Sequence, residues 1–143
     1  MNKPECITYP NGDKAWYLNG KYHREDGPAC ERVNGGKTWY LDGNRHREDG
    51  PACEYANGDK VWYLNGDLHR EDGPAVEYAN GHKEWFLNGV IHREDGPAIE
   101  RANGDKVWYL NGEEVDPETI VDLWLAKNTY CIYNPEAGCL EFE

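Results

Sequence analysis

Short segments in which apolar and polar side chains alternate recur along most of the chain. The segment 60–64, Lys-Val-Trp-Tyr-Leu, is rich in aromatic and β-branched residues, as strands are. Alternation puts Trp62 and Leu64 on one face of the predicted strand and Val61 and Tyr63 on the other. We expect the Trp and Leu face to be the buried one, because Trp and Leu hardly vary between equivalent segments whereas the Val61 position varies widely.

These segments recur with a period of 23 residues, which Trp16, Trp39, Trp62, Trp85 and Trp108 follow without insertion or deletion. The string His-Arg-Glu-Asp-Gly-Pro-Ala begins at each of four histidines with the same spacing. Asn-Gly or Asp-Gly pairs separate the segments, and such pairs favour two-residue hairpin loops because both central residues need a positive φ. The sequence therefore predicts four complete repeats and a truncated fifth over residues 1–114.

Residues at the same position of successive repeats form a column, and two columns in which every residue carries the same charge help to distinguish two repeat architectures. In a parallel β-helix equivalent residues would stack about 4.8 Å apart, whereas one hairpin per repeat separates them by roughly 10 Å. The arginines of the repeated string form one column and the lysines from Lys14 to Lys106 form another. Like charges directly opposite one another are destabilising. We therefore predict an all-β fold, an elongated antiparallel repeat sheet with one hairpin-type unit per repeat.

Residues 115–143 depart from the period and predict a C-terminal cap. Asp116 is a suitable N-cap, Pro117 fits the first helical position, and apolar residues then recur at helical spacing. We expect a helix over about 117–127 that covers the unpaired edge of the last hairpin. Two further segments predict a short terminal hairpin: Tyr130–Tyr133 and Cys139–Phe142.

The string Trp-Tyr-Leu-Asn-Gly-x-x-His-Arg-Glu-Asp-Gly-Pro-Ala, which spans for instance Trp62 to Ala75, is similar to MORN-like (membrane occupation and recognition nexus) repeats. More closely, it resembles tandem arrays encoded by bacteriophages, some bacteria and giant viruses. The resemblance covers about residues 5–112. It implies an elongated sheet with a hairpin per repeat and a role as a binding scaffold, and it implies no common ligand.

The charge balance restricts the partners. Fifteen basic against 27 acidic residues give a formal net charge of -12, so a basic or neutral partner is preferred over nucleic acid or an anionic membrane. The chain contains no serine, which excludes serine-nucleophile mechanisms. No apolar run of membrane-spanning length and no signal-peptide pattern is present, so we expect a cytoplasmic protein, in the host cytoplasm if phage-encoded.

The chain has five cysteines, an odd number, and no signal-peptide pattern, so we do not expect a disulfide framework. Cys30 and Cys53 occupy a column that holds Ile or Val in other repeats, which is typical of small buried apolar residues. Cys131 and Cys139 flank the final predicted turn, and we expect free thiols there; a disulfide or a metal site between them is the alternative.

The four His-Arg-Glu-Asp clusters invite a catalytic or metal-binding interpretation, because histidines and carboxylates serve both. Neighbouring repeats are too far apart for two histidines to share a zinc ion easily, and Asp-Gly-Pro is also an ordinary turn sequence. We therefore predict structural turns foremost, with no catalytic residue, no metal and no cofactor. The arginine would pair with the adjacent acids or with the column Glu31, Glu54, Glu77 and Glu100, or alternatively hold a phosphate or carboxylate.

Ten residues of the repeats are the candidate contacts with a ligand or partner: Arg24, Arg47, Arg70, Arg93, His23, His46, His69, His92, Tyr40 and Tyr63. Acidity is concentrated toward the C-terminal end, where residues 92–114 carry 3 basic and 6 acidic residues and residues 115–143 carry 1 and 6. The predicted acidic surface is formed by Glu94, Asp95, Glu113, Glu114, Asp116, Glu118 and Asp122.

The favoured function is a non-enzymatic binding scaffold, a phage-type accessory protein that antagonises a host defence factor by occluding its surface. Every candidate catalytic group recurs once per repeat, whereas an active site needs one asymmetric constellation. A first alternative is a sponge that sequesters a nucleotide second messenger between Arg and Trp side chains of neighbouring repeats or of two associated chains, which leaves a homo-oligomer open. A second alternative is an acidic mimic of nucleic acid, centred on this C-terminal acidic surface.

Overall fold

A computed structural model describes residues 3–128, which form a long antiparallel sheet followed by one helix. In chain order the elements within these residues are β1 (Glu5–Thr8), β2 (Lys14–Leu18), β3 (Lys21–Tyr22), β4 (Cys30–Glu31), β5 (Lys37–Thr38), β6 (Tyr40–Leu41), β7 (Asn44–Arg45), β8 (Cys53–Glu54), β9 (Lys60–Val61), β10 (Tyr63–Leu64), β11 (Asp67–Leu68), β12 (Val76–Glu77), β13 (Lys83–Glu84), β14 (Phe86–Leu87), β15 (Val90–Ile91), β16 (Ile99–Glu100), β17 (Lys106–Leu110), β18 (Glu113–Val115) and α1 (Pro117–Asn128).

Twelve of the strands form one open sheet in the order β1-β2-β4-β5-β8-β9-β12-β13-β16-β17-β18, with β3 paired to β2. Three two-stranded hairpins, β6-β7, β10-β11 and β14-β15, accompany it, and the strand pairs are antiparallel. The predicted all-β antiparallel repeat sheet with a C-terminal helix is confirmed. The predicted terminal hairpin lies outside the described residues.

Each complete 23-residue unit contains two hairpins that share one extended segment. In residues 76–91, for example, β12 pairs with β13 and β14 pairs with β15. Trp85 lies between β13 and β14, where its N–H donates to the carbonyl of Ala98 at 2.8 Å and its carbonyl accepts from the N–H of His92 at 3.0 Å. The tryptophan backbone therefore joins the two hairpins and also contacts the chain that leads into the next repeat.

The two kinds of Asn-Gly turn have different geometry. Asn65 and Gly66 have φ values of 49° and 86°, so this turn is the predicted two-residue loop with two positive φ angles. In the other kind of turn only the glycine has a positive φ, 96° at Gly81. The prediction of two positive φ angles is wrong there, because the longer loop closes with bonds from Tyr78 N–H to the His82 carbonyl and from Gly81 N–H to the Tyr78 carbonyl.

The register gives the sheet two faces of different chemistry. We call them the Trp face, which carries Trp62, Leu64 and their equivalents, and the Tyr face, which carries Val61, Tyr63 and their equivalents. Along the Trp face, lysines and glutamates alternate directly across the strands: Lys14, Glu31, Lys37, Glu54, Lys60, Glu77, Lys83, Glu100 and Lys106. The glutamates separate the lysines, so like charges are never opposite in this series.

The fully buried side chains are small. Ala29, Ala52, Ala75 and Ala98, which close the repeated string, have an exposed fraction of 0%. Trp62 and Leu64 are only half-buried, so the prediction that their face is the buried core is wrong. The reason is that no second layer packs on either face of the described sheet, so large side chains stay partly exposed. Where each loop returns to the sheet, the enclosed space is large enough only for the methyl group of alanine.

The cysteine prediction is confirmed for one residue of the two. Cys53 is buried, and burial raises the pKa of its thiol. Cys30 is half-buried, and burial raises its thiol pKa as well. Cys131 and Cys139 lie outside the described residues.

Helix α1 begins at Pro117, as predicted, with Glu118 in its first turn and Lys127 in its last. Both charges suit the helix dipole. Ile120 is buried, and Lys127 forms an ion pair with Glu94 in the fourth repeat. The ion pair joins the helix to the array.

We predict that Ala75→Val destabilises the protein by about 1 to 3 kcal/mol, because the added methyl groups have no space in a fully buried site. Ala102→Val is the matched control, because Ala102 is exposed and Val33 occupies the same repeat position naturally. Urea unfolding followed by tryptophan fluorescence measures both variants. Equal stability of the two would contradict the assignment of the alanine column as the core.

Candidate partner-binding face

One arginine in each complete repeat is fixed by contacts on several sides. Arg70 donates from Nε to Asp72 Oδ1 at 3.0 Å, and from Nη1 to the Pro74 carbonyl at 3.1 Å and to Glu77 Oε1 at 3.0 Å. Its guanidinium carbon lies 3.9 Å from the ring centroid of Trp62, within cation–π range. We call this arrangement the arginine clamp.

The clamp recurs almost unchanged in the other complete repeats. The distance from guanidinium carbon to ring centroid is 3.9 Å for Arg24 on Trp16, 3.8 Å for Arg47 on Trp39 and 4.0 Å for Arg93 on Trp85. The predicted pairing of these arginines with the adjacent acids and with the glutamate column is confirmed.

The glycine of the repeated string is required by the clamp. A Cβ atom at Gly73 would lie 2.9 Å from the guanidinium carbon of Arg70, and the corresponding distances at Gly27, Gly50 and Gly96 are 2.9, 3.0 and 2.8 Å. These four glycines do not have a positive φ, but a Cβ at this position would force the arginine to move away from its hydrogen-bond partners. Glycine is needed here to let the loop pass over the arginine.

The histidine of the string links consecutive repeats. His69 Nδ1 accepts a hydrogen bond from the backbone N–H of Asn88 at 2.9 Å, and His46 accepts one from Asn65 at 3.0 Å. His23 and His92 make the same bond to Asp42 and Asn111. Each donor is the first residue of the next two-residue turn, the asparagine or aspartate that precedes the glycine. The histidines thus act as structural acceptors in the described array.

Between consecutive loops of the string lie three equivalent clefts, of about 590, 670 and 660 Å³. The middle cleft has Trp62 and Leu64 at its floor, with His69 beside them. Its rims carry the paired acids Glu48-Asp49 and Glu71-Asp72. The side chains of Glu48 and Glu71 are 85% and 84% exposed, so the clefts are open to solvent and negatively charged at the rim.

The predicted contact residues divide between the two faces. The four arginines and four histidines lie on the Trp face, where their hydrogen bonds hold the loops. Tyr40 and Tyr63 lie on the Tyr face. Tyr40 packs against Tyr22 with ring centroids 4.9 Å apart, and the Arg45 guanidinium carbon lies 5.3 Å from the Tyr63 ring centroid. The predicted set therefore does not form one site.

The predicted acidic surface is spread over three elements. Glu94 and Asp95 belong to the fourth loop, Glu113 and Glu114 to β18, and Asp116, Glu118 and Asp122 to the start of α1 and the residue before it. A hydrogen bond from Lys127 lowers the pKa of Glu94. The exposed Glu-Asp pairs of the three earlier loops occupy positions equivalent to Glu94 and Asp95 but are not part of the predicted surface. The recurrence of the Glu-Asp pair in every copy of the string is the sequence feature from which these positions could have been predicted.

Within residues 3–128 no group of three or more His, Cys, Asp or Glu side chains is arranged to hold a metal ion. The helix of this part of the chain is too short and too polar to cross a membrane. No family model and no curated protein matches the chain.

We predict that Arg70→Lys lowers the free energy of unfolding by about 1 to 3 kcal/mol, because lysine cannot satisfy Asp72, Pro74 and Glu77 while stacking on Trp62. Arg101→Lys is the control, since Arg101 is an exposed arginine in a turn at the other end of the strands. Thermal unfolding measures both. A loss no larger for Arg70 than for Arg101 would show that the clamp contributes nothing beyond surface charge.

We predict that His69→Ala costs about 1 kcal/mol and accelerates hydrogen exchange of the Asn88 amide, because that N–H loses its acceptor. His82→Ala is the control, because His82 contacts Glu84 within its own repeat and leaves the Asn88 bond intact. Amide exchange measured by NMR distinguishes the two variants. Unchanged protection of Asn88 in His69→Ala would contradict the link between repeats.

Proposed function

We propose that the protein is a non-enzymatic binding scaffold whose Trp face docks a protein partner through regularly spaced basic side chains. The observation that carries the proposal is the row of three equivalent clefts, each with an apolar floor and two pairs of exposed carboxylates at its rim. A basic side chain can lay its apolar stem on the floor and direct its charge to the rim.

The contacts that the arginines already make support a basic partner over a phosphate ligand. Each guanidinium of the clamp already donates to two carboxylates and a carbonyl and is about one-fifth exposed. Arg47 and Arg70 line the middle cleft together with four carboxylates, so a phosphate there would meet more negative than positive charge. The nucleotide sponge therefore has less support than docking of a cation.

The structural roles of the candidate catalytic groups support binding over catalysis. His69 holds the turn of the next repeat, and Asp72 holds Arg70. The same constellation recurs in every complete repeat, so none of the clefts has the asymmetric set of groups that a reaction requires.

The repeat sets the spacing that a partner must match. Two strand spacings separate equivalent clefts by roughly 10 Å. Residues i and i+3 of a β-strand point to opposite sides, whereas in a polyproline II segment, with three residues per turn and a rise of about 3.1 Å, they lie on one side about 9 Å apart. A polyproline II segment with a basic residue at every third position is therefore complementary to the Trp face.

A basic nucleic-acid-binding protein is one class of partner that this row of carboxylates suits. The equivalent Glu-Asp pairs of all four loops extend the mimicry hypothesis beyond the C-terminal surface. Occlusion of a host defence factor is the more specific form of the proposal, and its support is the resemblance to phage-encoded repeat arrays. In either case the scaffold acts by covering the partner's basic surface.

We predict that an extended peptide with lysine at every third residue binds more tightly than a peptide of the same composition with its lysines in one block. The double variant Glu48→Gln with Glu71→Gln weakens this binding about fivefold, because two rim carboxylates are lost. Fluorescence anisotropy with labelled peptides measures both effects, and the affinity falls between about 50 mM and about 200 mM salt.

The matched control is Glu113→Gln with Glu114→Gln, which removes the same charge outside the clefts. It is expected to change the affinity less than twofold, since only long-range electrostatics are altered. Equal binding of the two peptides, or equal effects of the two double variants, would overturn docking at the clefts and leave only non-specific charge attraction.

A further inference from the structure

A pocket of about 620 Å³ lies on the Tyr face, opposite the clefts. We call it the Tyr-face pocket. Val61 and Val76 pair directly across the strands at its floor, and Tyr63 and Leu68 lie at one end. Its walls are formed by Tyr55 and Tyr78, which are 49% and 43% exposed.

Residues that differ between repeats converge on this pocket. The repeat position of Tyr55 and Tyr78 is occupied by arginine at Arg32 and Arg101. The position of Glu84, which also lines the pocket, holds Ala, Thr or Val in the other repeats. The clefts of the Trp face recur with the period, whereas this combination of residues occurs at a single place in the sequence.

The wall at Tyr78 is held in place. Its ring packs against His82 with centroids 5.3 Å apart, and its N–H donates to the His82 carbonyl. His82 Nε2 lies 2.7 Å from Glu84 Oε1. At the same edge, Asp59 Oδ1 accepts from the Ala79 N–H at 2.8 Å. The aromatic wall and both carboxylates are therefore fixed before a ligand arrives.

The pocket favours a cation. Asp59 and Glu84 line it, and no lysine or arginine is among its described lining residues. Burial raises the pKa of Tyr78, and the charges of Glu84 and Asp59 raise it further, which is the effect of a negative potential at this ring. Arg45 lies outside the lining at the other end, where burial raises the pKa of Tyr55 and the positive charge of Arg45 offsets only part of that rise.

We infer that the Tyr-face pocket binds the guanidinium side chain of an arginine from a protein partner, with the charge placed at the Tyr78 end. Guanidinium groups stack on aromatic rings and are weakly hydrated, so they suit a site that is partly apolar and partly anionic. The Tyr face already accommodates one such contact, since Arg45 lies on the ring of Tyr63 and donates to its hydroxyl at 3.4 Å. This site is independent of the proposed docking on the Trp face.

The test uses the full chain and three short blocked peptides that share one sequence and differ at one position: arginine, lysine or citrulline. Citrulline keeps the shape of arginine and removes the charge. We expect the arginine peptide to bind at least about tenfold more tightly than the citrulline peptide, with the lysine peptide between them. NMR titration, followed at the ring signals of Tyr55 and Tyr78, measures affinity and position together.

Tyr78→Arg should reduce binding of the arginine peptide at least about tenfold, because it removes one wall and adds a like charge. The repeats carry arginine at this position in Arg32 and Arg101, so the variant is compatible with the fold. Tyr9→Arg is the control, since Tyr9 occupies the same repeat position outside the pocket lining. Glu84→Gln is expected to weaken binding by severalfold while leaving the aromatic walls intact.

Equal affinity for the arginine and citrulline peptides, or equal effects of Tyr78→Arg and Tyr9→Arg, would overturn the inference. Tighter binding of spermidine than of the arginine peptide would also overturn it and assign the pocket to free polyamines. Binding of the lysine-spaced peptide to the clefts, measured on Tyr78→Arg, should be unchanged. Failure of the two proposals can therefore be told apart.

Discussion

One guanidinium organises each complete repeat. The arginine lies on the tryptophan of its own repeat and donates to an aspartate in the loop, a proline carbonyl at the loop's end and a glutamate on the following strand. The aspartate is largely exposed, so its ion pair adds little stability by itself. The arginine fixes the path by which the loop returns to the sheet. That path passes close to the guanidinium at the glycine and buries the alanine that ends the string.

The arginine clamp explains why the Trp face carries the same residues in each complete repeat whereas the Tyr face varies between repeats. On the Trp face nearly every residue of the string has a partner in the loop, the sheet or the next turn, so a substitution there disturbs the fold. On the Tyr face the side chains pack against neighbours on adjacent strands, and valine, threonine, glutamate or alanine occupies one position in different repeats while the strand pairing stays the same. A single sheet layer thus combines a repeated surface with one that is free to differ from repeat to repeat.

The period, the two-residue turns, the antiparallel sheet and the start of the helix follow from the sequence because each depends on local residue preferences. The residues that occupy the core do not, since burial of Ala75 instead of Trp62 is decided by where Arg70 lies above the ring. The bond between His69 and Asn88 joins two turns 19 residues apart and has no local signal. The pocket between Tyr55 and Tyr78 requires the pairing of Val61 with Val76, which only the strand register supplies.

The bond from each histidine to the next turn has a consequence for how such a protein changes in size. Because it joins a repeat only to its immediate successor, one whole 23-residue unit can be added or removed without altering the contacts of distant units. Each duplication adds another cleft to the Trp face, whereas the Tyr-face pocket takes Asp59 from one repeat and Glu84 from the next, so copying one unit does not copy the whole pocket. The number of clefts on one face is therefore set by array length, while the pocket on the other face remains single.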